Sequence, residues 1–303
     1  MVDSVFPSII HKYCFGNSED LLQDMPLSSH RRQNIVQVLS RTHFNLHFSW
    51  VRNLMQKLPP SIGAKVTPPG VQDIIAFRKA MSKQISNILS IKSSSPEDTP
   101  IFTYLRHSPD LPPSEKSPAR LLDEAVLLIM AGTYSPMLSL IVAHYHLITR
   151  PEIMTKLRAE LRVHPQSVSP EQLYQLPYLS AVIQEAHRLT FGLTGRNARS
   201  LFPDPWRFDP ERWIMTDSTE AELGRRRRRA MMSFMAGTSR GCLGMHLADA
   251  EMAVVVAAMA RWEMRLYGTT AEDAEFLHDY HVMSPRLGSK GVRVEVVGRA
   301  EGM

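Results

Sequence analysis

The stretch that most restricts the fold is residues 118–149, PARLLDEAVLLIMAGTYSPMLSLIVAHYHLIT. Its apolar residues fall on nearly every side of a helical turn rather than along one stripe. Such a helix has no face to offer water, so it belongs in the middle of a domain with other helices around it. The chain has 303 residues, 44% hydrophobic and 21% charged, the profile of an ordinary globular protein of one large or two modest domains. Its 17 methionines suit an adaptable apolar interior.

Around this helix the pattern is mostly helical. Residues 1–58 read as helix with short breaks, and HFNLHFSWVRNLMQKLP is an amphipathic segment ending at Pro59 and Pro60. In GVQDIIAFRKAMSKQISNIL the spacing puts Ile74, Ile75, Phe77, Met81, Ile85 and Leu89 on one broad face. SIKSSSPEDTP and HSPDLPPSEKSP are polar, proline-rich loops flanking a short apolar patch. RPEIMTKLRAELRVHP is an amphipathic surface helix. SPEQLYQLPYLSAVIQEAHRLT opens with Ser169 as N-cap, Pro170 in the first turn and Gln172 at the capping-box position. Strand signal is confined to the end, where KGVRVEVVG alternates. The expected fold is mainly α with a small β component, in one domain over residues 1–303.

Cys14 and Cys242 are the two cysteines, far apart in sequence. They suggest neither a disulfide framework nor a multi-cysteine zinc site, and they fit a reducing compartment. The opening residues show no basic segment followed by an apolar one, so no signal peptide is expected. AVLLIMAG and MAVVVAAMA, the longest apolar runs, are too short to cross a bilayer, so no transmembrane helix is expected either. The net charge of +5 owes much to RRRRR at Arg225 to Arg229. Like charges in a block repel and stay in solvent, so this run reads as a solvated loop surface, or else as a docking site for an acidic protein. Nucleic-acid binding is not expected. Cys14, in HKYCFGNS, reads as a buried core residue.

Three features can carry chemistry. Cys242 lies between Gly241 and a helix-forming run, where unpaired backbone N–H groups and the positive end of the dipole favour thiolate. Gly241 and Gly244 let something flat or bulky pass close by, and Arg240 suits a carboxylate. The other reading of Cys242 is a buried, inert small hydrophobe. Glu185 and Arg188, in EAHR, share a helix face; alone they read as a surface pair worth about 0.2–0.5 kcal/mol. FPDPWRFDPERW holds an irregular extended path through its prolines, and its Arg212 can reach a carboxylate elsewhere or simply lie in a loop.

Taken in order, these segments resemble the cytochrome P450 family of haem-thiolate monooxygenases, in a form like the fungal secondary-metabolism members. The family's E-x-x-R corresponds to Glu185 and Arg188, its PERF/PERW segment to Phe208–Trp213, and its cysteine motif to Arg240-Gly241-Cys242-Leu243-Gly244 within a haem-binding segment 231–252. The resemblance implies that Cys242 is the axial thiolate of the iron of haem b and that Arg240 pairs with a haem propionate. It implies a buried charged cluster of Glu185, Arg188 and Arg212. The oxygen-groove motif A-G-x-[DE]-T corresponds to Ala131-Gly132-Thr133-Tyr134-Ser135. Gly132, Tyr134 and Ser135 are therefore the implied catalytic residues, with tyrosine in the acidic position and serine in the threonine position. Pro136 removes the hydrogen bond to the Gly132 carbonyl, so a kink is expected there.

The implied activity is insertion of one oxygen atom into an apolar small molecule, with electrons from NADPH through NADPH–cytochrome P450 reductase. The implied location is the endoplasmic reticulum surface, or the cytoplasm for the chain as written, which has no anchor. Measured against the family, the chain begins at its middle helices. Only 19 residues, LTFGLTGRNARSLFPDPWR, separate Arg188 from Phe208, where the family has several dozen, as if a segment were removed between 196 and 203. Phe234 and Gly237 stand one residue further from Cys242 than in the family. These departures raise the alternative of a truncated, non-catalytic remnant with weak or no haem binding.

Overall fold

The structure, a computed structural model, describes residues 2–16, 36, 39–40, 42–48, 50, 69–90, 100–164, 168–190, 200–231, 233–235, 238–280 and 282–303. The described chain gathers into two compact units, Met1–Ser135 and Pro136–Met303.

The first unit holds α1 (Val2–Phe15), α2 (Thr42–His47), α3 (Pro69–Ser90), α4 (Ile101–His107) and the first half of α5 (Pro118–Thr149). Helix α1 packs on α4 through Phe15 and Phe102, whose rings stack at 5.4 Å. Phe102, Met81, Ile85 and Ile88 are buried, whereas Ile75 is exposed. The buried stripe of α3 thus runs through Ile88 and is narrower than the spacing suggested. The guanidinium of Arg106 donates to the Ile88 carbonyl at 2.9 Å, answering one of the unpaired carbonyls at the end of α3. Cys14 is buried, and burial pushes its thiol up to about 12. Pro59 and Pro60, most of the loop at 90–100 and the side chain of Ile74 lie outside the described residues.

In the second unit the rest of α5 is joined by α6 (Pro151–Arg162), α7 (Pro170–Tyr174), α8 (Pro177–Thr190), α9 (Ser218–Ala230) and α10 (Met245–Ala260). Helix α10 packs against α6, α7 and α8, burying Met252, Ala253 and Val256 on one side and Leu179, Val182 and Ile183 on the other. Burying each large aliphatic side chain contributes about 1.5–3 kcal/mol. Ser169 closes the expected capping box with Gln172, at 3.3 and 3.1 Å. The helix it caps is short, however, because Pro177 cannot continue the ladder and instead opens α8.

The β component is two antiparallel pairs: β1 (Trp262–Leu266) with β4 (Val294–Arg299), and β2 (His278–Asp279) with β3 (Met283–Ser284). Strand β4 begins four residues later than KGVRVEVVG, and Val296 and Val297 are both exposed. Arg158 joins α10 to β1, donating to the carbonyls of Ala260 at 2.8 Å and Trp262 at 2.9 Å.

Two expectations change. Helix α5 has 32 residues and is long and apolar enough to cross a membrane, contrary to the reading of the apolar runs one by one. With 61% of its most apolar window buried by protein, it is a core helix mainly in its second half, where Leu140, Ala143 and Leu147 are sealed, whereas Leu127 in the first half is 60% exposed. Secondly, the arginine run lies in a helix, α9, because Asp217 accepts the Thr219 and Glu220 N–H groups as N-cap and arginine is a good helix former. Arg227 is turned inward rather than solvated: its guanidinium donates to the carbonyls of Leu201 at 2.9 Å and Arg212 at 2.5 Å.

Candidate active site

Helix α8 presents Glu185 and Arg188 one turn apart on its buried face, with 0% and 1% of the side chain exposed. They form a two-pronged pair, Nε to Oε2 and Nη2 to Oε1, both at 2.8 Å. Arg188 also donates to the carbonyls of Pro205 and Arg207, at 2.5 and 3.1 Å. Glu185 accepts the Asp209 N–H at 2.9 Å and the Trp213 indole N–H at 2.9 Å. Arg212 lies 3.5 Å from Glu185 and donates to the Asp204 carbonyl at 3.0 Å. This is a closed cluster and not a surface pair. The prolines of FPDPWRFDPERW keep that segment out of regular ladders, so its carbonyls are left for the arginines.

The cysteine segment is open by contrast. Cys242 is exposed, so it is not an inert core residue. Its N–H donates to the Phe234 carbonyl at 2.8 Å, and its side chain stands just before α10, whose N-cap is Gly244. A Cβ on Gly244 would lie 3.9 Å from the Cys242 sulfur, in ordinary contact with it. Leu243 is 99% exposed, Met235 is also exposed, and Arg240 points to solvent with no described carboxylate paired to it. The turn leading in is strained. Phe234 and Met235 have φ of +59° and +48°, costs of about 1–3 kcal/mol each for residues other than glycine. Gly237 lies outside the described residues.

The oxygen-groove residues lie in the first unit. Tyr134 is buried and Ser135 partly so. Gly132 faces α1: a Cβ there would come within 2.8 Å of the Ile10 side chain. A side chain there would make Ile10 shift. Helix α5 continues across Pro136.

Sequence reading passed over a second polar group in the second unit. His187, on α8, bonds Ser139 of α5 through Nδ1 at 3.0 Å and Asp249 of α10 through Nε2 at 3.2 Å, all three side chains buried. A carboxylate can only accept, so Nε2 donates to Asp249; in the neutral tautomer this selects, Nδ1 accepts from the Ser139 hydroxyl. Burial first, and then the Asp249 carboxylate, push the Tyr174 hydroxyl well above its usual range. Separations of 48 and 62 residues leave no spacing signal to find. Glu251, also on α10, is pushed up to about 8 by burial, and its Oε1 lacks a partner among the described residues.

The Cytochrome P450 family model matches residues 1–201 and 193–262, and the chain belongs to that family. Among curated relatives, cytochrome P450 monooxygenase orf4 of Eupenicillium brefeldianum is 32% identical over 325 positions, covering 94% of this chain and 63% of the relative. Tryptophan 6-hydroxylase fscE of Fusarium equiseti is 31% identical over 326 positions, covering 95% and 62%. The chain thus spans a little under two thirds of the length of these relatives. Both alignments run over more positions than the chain's 303 residues, so the relatives carry segments missing here. The two matched pieces meet at 193–201, within the shortened join. Residues 191–199 lie outside the described residues. The retinoic-acid-bound cyanobacterial CYP120A1 superposes with a TM-score of 0.70 at 19% identity, covering 98% of this chain and 68% of that one, a likeness of fold.

The family implies a haem, and the residues around Cys242 fit one. They offer an accessible sulfur ligand, apolar Leu243 and Met235 for a flat ring, and a guanidinium two residues away for a carboxylate edge.

Proposed function

We propose that this chain holds haem b through Cys242 and belongs to a monooxygenase that inserts one oxygen atom from O2 into an apolar small molecule of fungal secondary metabolism. The observation that carries this reading is the exposed Cys242 sulfur at the head of α10, with its own N–H tied to the Phe234 carbonyl. The names of the relatives, monooxygenase and tryptophan 6-hydroxylase, support it. Bound haem supplies the iron at which O2 is activated, and a thiolate ligand favours O–O cleavage.

The chain's residues have distinct tasks in this scheme. Cys242 ligates the iron, and Arg240 pairs with a propionate. The Glu185–Arg188–Arg212 cluster holds the segment that leads to the cysteine. The hydroxyls of Ser135 and Tyr134 are the proton-holding groups of the oxygen groove, tyrosine being a weaker donor than the carboxylate it replaces. NADPH–cytochrome P450 reductase delivers the electrons.

A second reading, a non-catalytic remnant, is favoured by the relatives' longer alignments and the shortened join. One experiment separates the two. The chain is purified with added haemin, reduced and exposed to carbon monoxide. A Soret band shifted strongly to the red is the expected result for thiolate ligation. A band at the ordinary haem–CO position, or none, would favour the remnant.

A further inference from the structure

We propose that His187 is a positioning residue for the cysteine turn, with its imidazole as the support that keeps Phe234 in its left-handed conformation and so aims the Cys242 N–H. Four contacts converge on this one residue. Ser139 and Asp249 grip the ring from α5 and α10. The Phe234 ring meets it edge to face, centroids 4.8 Å apart at 74°, a geometry aromatic pairs prefer. The Ser233 hydroxyl donates to the His187 carbonyl at 3.1 Å. The carbonyl of Phe234 in turn receives the Cys242 N–H at 2.8 Å.

The logic is one of strain and restraint. Two successive non-glycine residues at positive φ persist only where the surroundings over-determine them. Here Ser233 is tied to the His187 backbone and Phe234 to the His187 ring. The ring cannot rotate away, because both its nitrogens are engaged by buried partners on two other helices. A leucine at position 187 would fill space but hold neither Ser139 nor Asp249, and would leave Asp249 short of a donor. The role of this turn in presenting a haem ligand rests on the proposed function; the restraint itself is a property of the chain alone.

Hydrogen exchange on the haem-free, full chain tests it. His187→Leu is expected to speed exchange in peptides covering 238–244 by about tenfold, while the apolar half of α10 and α3 keep their rates, since opening is local. His187→Gln separates ring from polar contacts: it can still bond Ser139 and Asp249 but offers no ring to Phe234. It is expected to retain the urea midpoint and lose the protection of the turn. Unchanged exchange at 238–244, a uniform rise throughout the chain, or full recovery with glutamine would each overturn the proposal. The carbon monoxide spectrum of wild type reports separately on the haem reading. An ordinary haem–CO band with a locally loosened His187→Gln turn would remove the haem role and keep the restraint.

Discussion

The Glu185–Arg188 cluster and the Cys242 segment are both anchored on α8, yet one is sealed and the other bare. In the cluster the Glu185–Arg188 charges are answered by the chain itself, through two arginines, two N–H donors and backbone carbonyls, and only Arg212 Nε is left without a hydrogen bond among the described residues, 3.5 Å from Glu185. In the cysteine segment the sulfur, Leu243 and Arg240 all face outward, and only the backbone beneath them is tied down. Buried charge is tolerated only when its partners are complete, so the cluster must be finished by the fold. A loop with the haem-holding role proposed for this one has the opposite requirement, since its valences must be left for something else. The contrast separates what keeps this unit together from what it presents.

Breaking the sealed side should have the largest effect. Arg188→Ala leaves Glu185 charged and buried, and is expected to cost about 3–5 kcal/mol, read as a fall in the urea midpoint or as failure to fold. Glu251→Gln tests a carboxyl that the fold seals without pairing. Burial raises its pKa to about 8, against about 4.3 in an unfolded chain. Between those values the native state holds a proton that the unfolded state has released, so this group's contribution falls as pH rises and levels off above 8. The glutamine variant should match wild type near pH 4 and exceed it at alkaline pH by an amount on the order of a few kcal/mol, measured by urea unfolding across that range. Trp213→Phe deletes one donor to Glu185 and should cost about 2 kcal/mol by the same measurement.

At the open side the expected effect on stability is nil, and chemistry is the sharper probe. Cys242→Ser should leave the urea midpoint unchanged. Iodoacetamide on the native, haem-free chain should modify Cys242 and spare Cys14, whose thiol burial holds near 12, as mass spectrometry of the peptides would show. Modification of Cys14 before unfolding would break the comparison, because burial would then not be what distinguishes the two thiols.

The reading of EAHR shows where sequence logic divides. Spacing placed Glu185 and Arg188 on one helix face, and that much is local geometry. Whether the face is wet or dry depends on residues 200–213 folding over it, so the pair by itself looked like a surface pair. Likewise Arg227 was one of five equal arginines until α9 turned it toward the carbonyls of Leu201 and Arg212.

By itself the sequence determined the features that depend on neighbours along the chain. The all-round apolar helix, the capping box at Ser169, the glycines beside Cys242 and the ordered family motifs are of this kind, because turn geometry and helix periodicity act over a few residues. Only the tertiary structure decided that Cys242 is exposed while Cys14 is sealed, that Gly132 makes room for Ile10, and that Ser139, His187 and Asp249 meet. Those outcomes depend on desolvation and on contacts between segments distant in sequence, and no local pattern encodes either.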